Sequence, residues 1–141
     1  DESTVYGTRT GSHADTHDSD NVYEVLTEDV KTGANPYSRL DHRWSFEVPA
    51  GTWVEVHVEG FRTDSPDDDS FEFEYLPPGG EWTALDITNP PRNDNGIDYV
   101  APLAAGTSGT VTVRAIDTNH AANHTDLDTL SIDEIFIRSV P

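Results

Sequence analysis

The stretch Trp53-Val54-Glu55-Val56-His57-Val58-Glu59 decides the fold of this chain. Valine occupies every second position, and a tryptophan, two glutamates and a histidine occupy the positions between. A repeat of about two residues belongs to a β-strand, whereas an α-helix repeats about every 3.6 residues. The stretch therefore predicts a strand that buries its valines and presents its polar face to solvent or to a ligand.

The same alternation runs through most of the chain and predicts about nine strands. It is clear in four further segments, at 44–48, 71–75, 111–115 and 130–132, and weaker at 5–10, 22–26, 82–87 and 97–100. Turn sequences such as PAG and PPGG separate the segments, and no window has a convincing helical repeat. We therefore predict an all-β fold, an antiparallel two-sheet β-sandwich of the jelly-roll type.

The domain organisation follows from length and pattern. The 141 residues are enough for a single hydrophobic core, and no linker divides them, so residues 1–141 are predicted to form one domain. Residues 1–4 and 140–141 are expected to be loose ends. In the last strand, Ile135 follows Ile132 by three positions instead of two, which predicts a β-bulge at Asp133-Glu134.

The composition excludes several classes of protein. Asp and Glu total 27 against 8 Lys and Arg, and the resulting net charge of −19 disfavours binding to nucleic acids and to anionic membranes. The absence of cysteine excludes disulfides, thiolate metal sites and cysteine nucleophiles. Methionine is absent too, and together with the acidity this favours a secreted, extracellular bacterial protein of marine or halophilic origin, monomeric as an isolated domain.

The carboxylates gather in three connections, at 14–21, 63–70 and 117–133. Like charges brought together repel one another unless a cation joins them. Calcium binds six to eight hard oxygen ligands in flexible geometry, and Asp, Asn and loop carbonyls supply such ligands here. The pattern favours calcium sites, and the alternative is that these loops are simply solvated acidic surface.

Two histidine pairs, His13 with His17 and His120 with His124, have the four-residue spacing that binds zinc when it lies on a helix. The residues between them indicate loops, where this spacing carries no such geometry. No Gly-x-Ser-x-Gly motif is present, and no carboxylate stands in an apolar frame that would raise its proton affinity. We therefore predict that the chain is not itself an enzyme, and a small metal-dependent hydrolase remains a third hypothesis.

The aromatic residues point to a ligand. Trp44 shares the parity of Phe46 and Val48 and is predicted to lie in the core. Trp53 lies on the polar face of its strand, and an exposed indole beside carboxylate and imidazole groups is typical of a sugar-binding platform. The predicted ligand-binding residues are Trp53, Glu55, His57, Trp82 and Tyr99.

Three segments resemble the calcium-dependent jelly-roll accessory domains of secreted bacterial hydrolases. They are DDDSFEFEYLPPGGEWTAL at 67–85, LDTLSIDEIFIRS at 127–139, which also resembles carbohydrate-binding modules, and WSFEVPAGTWVEVHVEG at 44–60, which resembles pre-peptidase C-terminal domains. The resemblance covers residues 40–138. It implies that an acidic residue of the closing strand binds structural calcium, and it gives as metal ligands Asp67, Asp68, Asp69, Asp117, Asp128 and Asp133.

The sequence thus predicts a non-catalytic, calcium-stabilised carbohydrate-binding domain of a secreted bacterial enzyme, whose partners are a polysaccharide or oligosaccharide and the rest of the parent polypeptide. The alternative is a calcium-binding structural or adhesive module of an extracellular protein that recognises no sugar.

Overall fold

Twelve β-strands account for nearly all regular structure in the computed structural model, which describes residues 1–63, 66–67 and 70–141. The strands are β1 (Glu2–Tyr6), β2 (Thr8–Thr10), β3 (Glu24–Thr27), β4 (Asp29–Lys31), β5 (Tyr37–Arg39), β6 (Asp41–Val48), β7 (Trp53–Arg62), β8 (Phe71–Leu76), β9 (Thr83–Ala84), β10 (Asp98–Pro102), β11 (Gly109–Asp117) and β12 (Thr129–Val140). One 3₁₀ turn spans His13–Thr16. A helix long and apolar enough to cross a membrane is not found among the described residues.

The strands form two five-stranded antiparallel sheets and one small hairpin. The first sheet has the order β1-β6-β11-β8-β9, the second has the order β10-β7-β12-β3-β2, and β4 pairs with β5. The long strands alternate between the sheets along the chain, so that β6, β8 and β11 lie in the first and β7, β10 and β12 in the second. This arrangement confirms the predicted all-β, antiparallel two-sheet sandwich.

The count of twelve strands exceeds the expected nine for two physical reasons. The segment 5–10 is interrupted at Gly7, whose φ of 101° lies in the left-handed region, so β1 and β2 join different sheets. A Cβ at Gly7 would lie 2.7 Å from both the Leu40 side chain and the Thr27 carbonyl oxygen. The other two strands, β4 and β5, have three residues each, too few to show an alternation.

The chain ends are paired, although the sequence predicts loose ends at 1–4 and 140–141. Glu2 pairs with Trp44 across β1 and β6, and Val140 pairs with Trp53 across β12 and β7. Glu2 is also held by Arg9 and by the backbone N–H of His13. Hydrogen bonds to neighbouring elements therefore order both ends.

The core lies between the sheets and is built from the inward positions of the long strands. Val54, Val56 and Val58 of β7 are buried there, as the alternation predicts, and Trp44 of β6 is fully buried. Burying such a side chain contributes about 1.5 to 3 kcal/mol relative to leaving it in water. The core fixes which side of each strand faces outward.

The predicted bulge is confirmed, since the register of β12 against β7 shifts between Ile132 and Glu134. Asp133 sits at the shift and is buried. Beyond it, the outward residues of β12 lie beside those of β7, because Phe136 pairs with His57 and Arg138 pairs with Glu55. The bulge thus sets the register on which the outer face of the second sheet depends.

Candidate functional site

The outer face of the second sheet combines polar residues of three neighbouring strands, β10, β7 and β12. Residues paired across antiparallel strands point to the same side, so the register defines three rows on this face. The rows are Pro102, Glu55 and Arg138; Val100, His57 and Phe136; and Asp98, Glu59 and Glu134.

His57 lies at the middle of this face, with both ring nitrogens engaged. Its Nδ1 lies 2.6 Å from Asp98 Oδ2, and its Nε2 lies 3.0 Å from Glu55 Oε1. The ring stacks on Phe136, with ring centroids 4.3 Å apart and planes 9° from parallel. These contacts fix the position of the imidazole and leave it only 7% exposed.

Trp53 is the first residue of β7 and is 52% exposed. Its indole Nε1–H donates to Glu55 Oε2 at 2.6 Å. This hydrogen bond is the main reason that the pKa of Glu55 lies below its ordinary value of 4.5, with burial acting in the opposite direction and His57 and Arg138 adding to the lowering. The ionised Glu55 therefore holds the indole in place while the ring remains open to solvent.

The sequence predicts that the polar face of β7 is exposed, and the structure agrees only in part. Trp53 is exposed, but Glu55, His57 and Glu59 are buried at 7%, 7% and 6% exposure. Side chains of the flanking strands cover them, as the contacts of His57 with Asp98 and Phe136 show. Glu55, which accepts from the indole, and His57, which contacts Glu55, support the exposed ring more than they form an open polar surface.

Trp82 and Tyr99 lie elsewhere. Trp82 packs over the Arg114 guanidinium of the first sheet, 4.0 Å from the ring centroid, on the opposite outer face of the sandwich. Tyr99 pairs with the inward-facing Val58 and packs against the core. The structure thus brings together Trp53, Glu55 and His57, and separates the other two from them.

Asp133 is 1% exposed at the bulge and accepts hydrogen bonds from the backbone N–H groups of Asp20 and Asn21, at 3.3 and 2.9 Å. Burial raises the pKa of Asp133 above its ordinary value, those two hydrogen bonds oppose the shift, and the charges of Asp94 and Asp20 add to it. Three carboxylates therefore act on one another here, and the loop around residue 20 lies against the closing strand.

The other expected metal ligands lie at a different corner, around the 117–128 connection. Asp117 Oδ1 accepts from the N–H of Asn119, whose side chain donates to the Asp67 carbonyl oxygen. Asp128 Oδ1 accepts from the Thr63 hydroxyl at 3.1 Å. Asp68 and Asp69 lie outside the described residues.

Asp128 and Asp133 are too far apart to share one ion. They are five positions apart, with the first four residues of β12 between them, which corresponds to about 16 Å along a strand. Within 1–63, 66–67 and 70–141, the expected ligands do not form a group of three whose oxygens lie within 4.8 Å of one another. The two corners therefore cannot share one calcium ion.

His13 begins the 3₁₀ turn and His17 directly follows it, whereas His120 and His124 lie in the connection between β11 and β12. His13 and His17 have ring centroids 4.8 Å apart and perpendicular planes, and His13 Nδ1 lies 2.9 Å from the Thr16 hydroxyl. His120 stacks on Tyr37, and His124 Nδ1 lies 3.1 Å from Asn119 Nδ2. Neither pair lies on an α-helix.

A groove of about 310 Å³ that the sequence does not predict lies beside the β4–β5 hairpin. Its lining includes Tyr6, Lys31, Tyr37, Arg39 and His120. Arg39 lies 3.9 Å from the centre of the Tyr6 ring, and Tyr37 stacks on His120 at 4.5 Å. Strands of three residues carry no alternation that could have predicted it.

A second missed feature is a polar cluster between the sheets, formed by Glu2, Glu24 and His42. Its signal was present in the sequence, because His42 shares the parity of Trp44, which the alternation places in the core.

Comparison with known proteins gives matches to solved structures alone, since no family model and no curated protein matches the chain. TmCBM61, solved in complex with β-1,4-galactotriose, matches with a TM-score of 0.59 and 10% identity over 99% of this chain and 87% of that chain. A CBM4 structure matches with a TM-score of 0.50 and 12% identity over 96% of this chain and 94% of that chain. At these identities, the likeness shows the fold.

The enzymatically active domain of bacteriophage CBA120 tailspike protein 4 also matches, with a TM-score of 0.51 and 8% identity. The match covers 99% of this chain but 19% of the tailspike chain, so this fold forms a small part of that protein. These matches show that the chain shares a two-sheet β-sandwich fold with TmCBM61 and the CBM4 structure. This chain has that fold, with an exposed tryptophan on the outer face of its second sheet.

Proposed function

We propose that this chain is a non-catalytic, calcium-stabilised carbohydrate-binding domain that belongs to a secreted bacterial enzyme and binds a polysaccharide or oligosaccharide on the outer face of the second sheet. The observation that carries the proposal is the half-exposed indole of Trp53, held by Glu55 on a sandwich whose fold is shared with carbohydrate-binding modules. Carbohydrate binding by proteins of this fold supports the function but does not identify the sugar.

The chemistry of the face suits a sugar. An indole ring packs against the apolar face of a pyranose, and charged groups beside it hydrogen-bond to the hydroxyls. Val140, next to Trp53 on β12, and Val100 on β10 are both exposed and extend the apolar surface. Arg138 and Asp98 are the nearby groups that are exposed enough to meet a ligand.

The test is native affinity electrophoresis of the full chain in gels that contain galactan, xylan, laminarin, agarose or alginate. At least one polysaccharide should retard the wild type, and Trp53→Ala should reduce the affinity at least tenfold, because the stacking surface is lost. Trp82→Ala is the matched control and should bind as the wild type, because Trp82 lies on the opposite outer face.

Tyr6→Ala tests whether the sugar binds in the groove beside the β4–β5 hairpin and not on this face. If Tyr6→Ala abolishes binding and Trp53→Ala does not, the sugar site is the groove, and the assignment to Trp53 is wrong. If none of the polysaccharides retards the wild type, the carbohydrate proposal fails and a structural or adhesive module becomes the better account.

For calcium, we propose the bulge as the principal site, with Asp133 supplying the closing-strand ligand. Asp133 is buried beside the carboxylates of Asp20 and Asp94, and a cation bound there would offset their mutual repulsion. Calcium at about 100 times its dissociation constant would add about 2.7 kcal/mol to the free energy of unfolding. The melting temperature should therefore rise by several degrees when calcium is added to chelator-treated protein.

Asp133→Asn should remove this response to calcium, and Asp86→Asn, at an exposed loop position, should retain it. Equal melting temperatures with and without calcium in the wild type would contradict calcium stabilisation, and leave the carbohydrate proposal to its own test.

A further inference from the structure

The Glu2–Glu24–His42 cluster joins the two sheets inside the sandwich. Glu2 belongs to β1 and His42 to β6 in the first sheet, and Glu24 belongs to β3 in the second. Glu24 and His42 are fully buried, and the Glu2 side chain is 19% exposed at the edge. A buried carboxylate and imidazole at this depth require partners for their polar atoms.

Two of those atoms lack hydrogen bonds. Glu24 Oε1 and His42 Nε2 are both buried and make no hydrogen bond; they face each other at 3.2 Å, within ion-pair distance when the imidazole is protonated, and Arg9 Nη1 lies 3.9 Å from Glu24 Oε1. Glu2 Oε2 lies 3.8 Å from His42 Nε2. Buried polar atoms are nearly always paired, so two unsatisfied atoms that face one point call for a missing partner.

The remaining atoms of the three residues are held by neighbours that fix their orientation. His42 Nδ1 lies 2.8 Å from the Thr4 hydroxyl, and Glu24 Oε2 accepts from the indole N–H of Trp44 at 2.8 Å. Glu2 Oε1 pairs with Arg9, and Glu2 Oε2 accepts from the backbone N–H of His13 at 2.9 Å. Metal-binding histidines and carboxylates are typically oriented in this way by a second layer of hydrogen bonds.

The spacing matches a tetrahedral ion. Ligand atoms at about 2.0 to 2.2 Å from zinc lie about 3.4 Å from one another in a tetrahedron. The distances of 3.2 and 3.8 Å from His42 Nε2 bracket this value, and one ligand atom from each residue can be chosen so that all three lie within 4.8 Å of one another. Three protein ligands leave a fourth position for water at the partly exposed Glu2 edge.

We propose that Glu2, Glu24 and His42 form a binding site for a divalent transition metal, with zinc the best fit, that links the two sheets. An imidazole ligand disfavours calcium and magnesium, which prefer oxygen, so this site differs in chemistry from the acidic corners. The formal charges of Glu2, Glu24 and Arg9 sum to −1 when His42 is neutral, so a divalent cation is attracted. Its role is structural, because it connects β1 and β6 to β3.

Cobalt(II) is the probe that tests the site in the full chain, because tetrahedral cobalt gives visible absorption bands. After dialysis against EDTA and removal of the chelator, the wild type should bind one cobalt per chain with these bands, and zinc should displace it. Zinc at about 100 times its dissociation constant should raise the melting temperature by roughly 5 to 10 °C.

Two variants locate the ion. Glu2→Gln, at the partly exposed position, and His42→Gln should each weaken cobalt binding at least tenfold. His124→Ala, in the 117–128 connection, and Asp133→Asn, at the proposed calcium site, should leave the cobalt spectrum unchanged.

The proposal is overturned if the wild type shows no cobalt bands and no zinc-dependent change in melting temperature. It is also overturned if the bands persist in both Glu2→Gln and His42→Gln, since the ion would then lie on surface histidines. Should either variant fail to fold, the wild-type spectrum and melting temperature still decide the result.

Discussion

Two histidines of this molecule lie between carboxylates, and they differ in whether both ring nitrogens make hydrogen bonds. His57, on the outer face of the second sheet, has both ring nitrogens paired, with Asp98 on one side and Glu55 on the other. His42, between the sheets, has Nδ1 paired with Thr4, whereas Nε2 makes no hydrogen bond. Similar residue types thus form a closed network at the surface and an incomplete one in the core.

The reason lies in the strands that supply each neighbourhood. His57 sits on the interior strand β7, where β10 supplies a hydrogen-bond partner on one side and β12 a stacking ring on the other. His42 faces the space between the sheets, where its Nε2 meets the carboxylates of Glu2, from the neighbouring strand β1, and Glu24, from β3 of the opposite sheet. A closed network fixes a surface residue such as Trp53, whereas an incomplete one leaves a polar atom available to an ion.

The largest expected effect is at Glu24. Glu24→Ala removes the acceptor of the Trp44 indole N–H and the carboxylate that faces His42, so both groups are left buried without it. Loss of one member of a buried charged group costs about 3 to 5 kcal/mol of unfolding free energy. Urea denaturation of both proteins measures it.

Glu72→Ala, at an exposed position of β8, is the control and should change the free energy of unfolding by less than about 0.5 kcal/mol. A loss below about 1 kcal/mol for Glu24→Ala would mean that the buried cluster contributes no more than a neutral hydrogen bond.

A smaller effect is expected at Phe136, which stacks on the His57 ring. Phe136→Leu keeps an apolar side chain but removes the stacking, and should cost about 1 kcal/mol of unfolding free energy. The imidazole proton resonances of His57 should shift in NMR spectra. The Phe61 ring contacts Tyr23 instead, so Phe61→Leu should leave the His57 resonances in place. If Phe61→Leu shifts them as much as Phe136→Leu does, the stack is not specific.

The smallest effect concerns pH. The pKa of Glu55 is lower in the folded protein than its ordinary value of 4.5, chiefly because Trp53 donates a hydrogen bond to it. A lowered pKa contributes stability that is fully present above pH 4.5 and is lost as the pH falls through the folded-state value. The difference in unfolding free energy between wild type and Glu55→Gln should therefore shrink as the pH falls below 4.5.

The measurement is urea denaturation of both proteins across the acidic range, with Glu72→Gln as the control for a carboxylate on another strand. A difference that stays constant, or grows, as the pH falls would contradict the contribution assigned to the ionised Glu55.

The alternation of residues predicted the larger strands, the core position of Trp44 and the bulge at Asp133, because each depends on the repeat along one strand. Features that depend on partners distant in sequence could not be predicted in this way. Glu55 and His57 are buried by Arg138 and Asp98, whose positions follow from strand pairing. The separation of Trp82 from Trp53 likewise follows from the order of strands in two different sheets.

The central claim is that Trp53 forms the sugar-binding surface, and NMR of the indole N–H groups tests it most directly. The chain has three tryptophans, so each resonance can be assigned from a single substitution. Titration with an oligosaccharide of the polysaccharide that retards the protein should shift the Trp53 resonance, and leave those of the buried Trp44 and the opposite-face Trp82 in place. A shift at Trp82 alone, or no shift at any of the three, would contradict the claim.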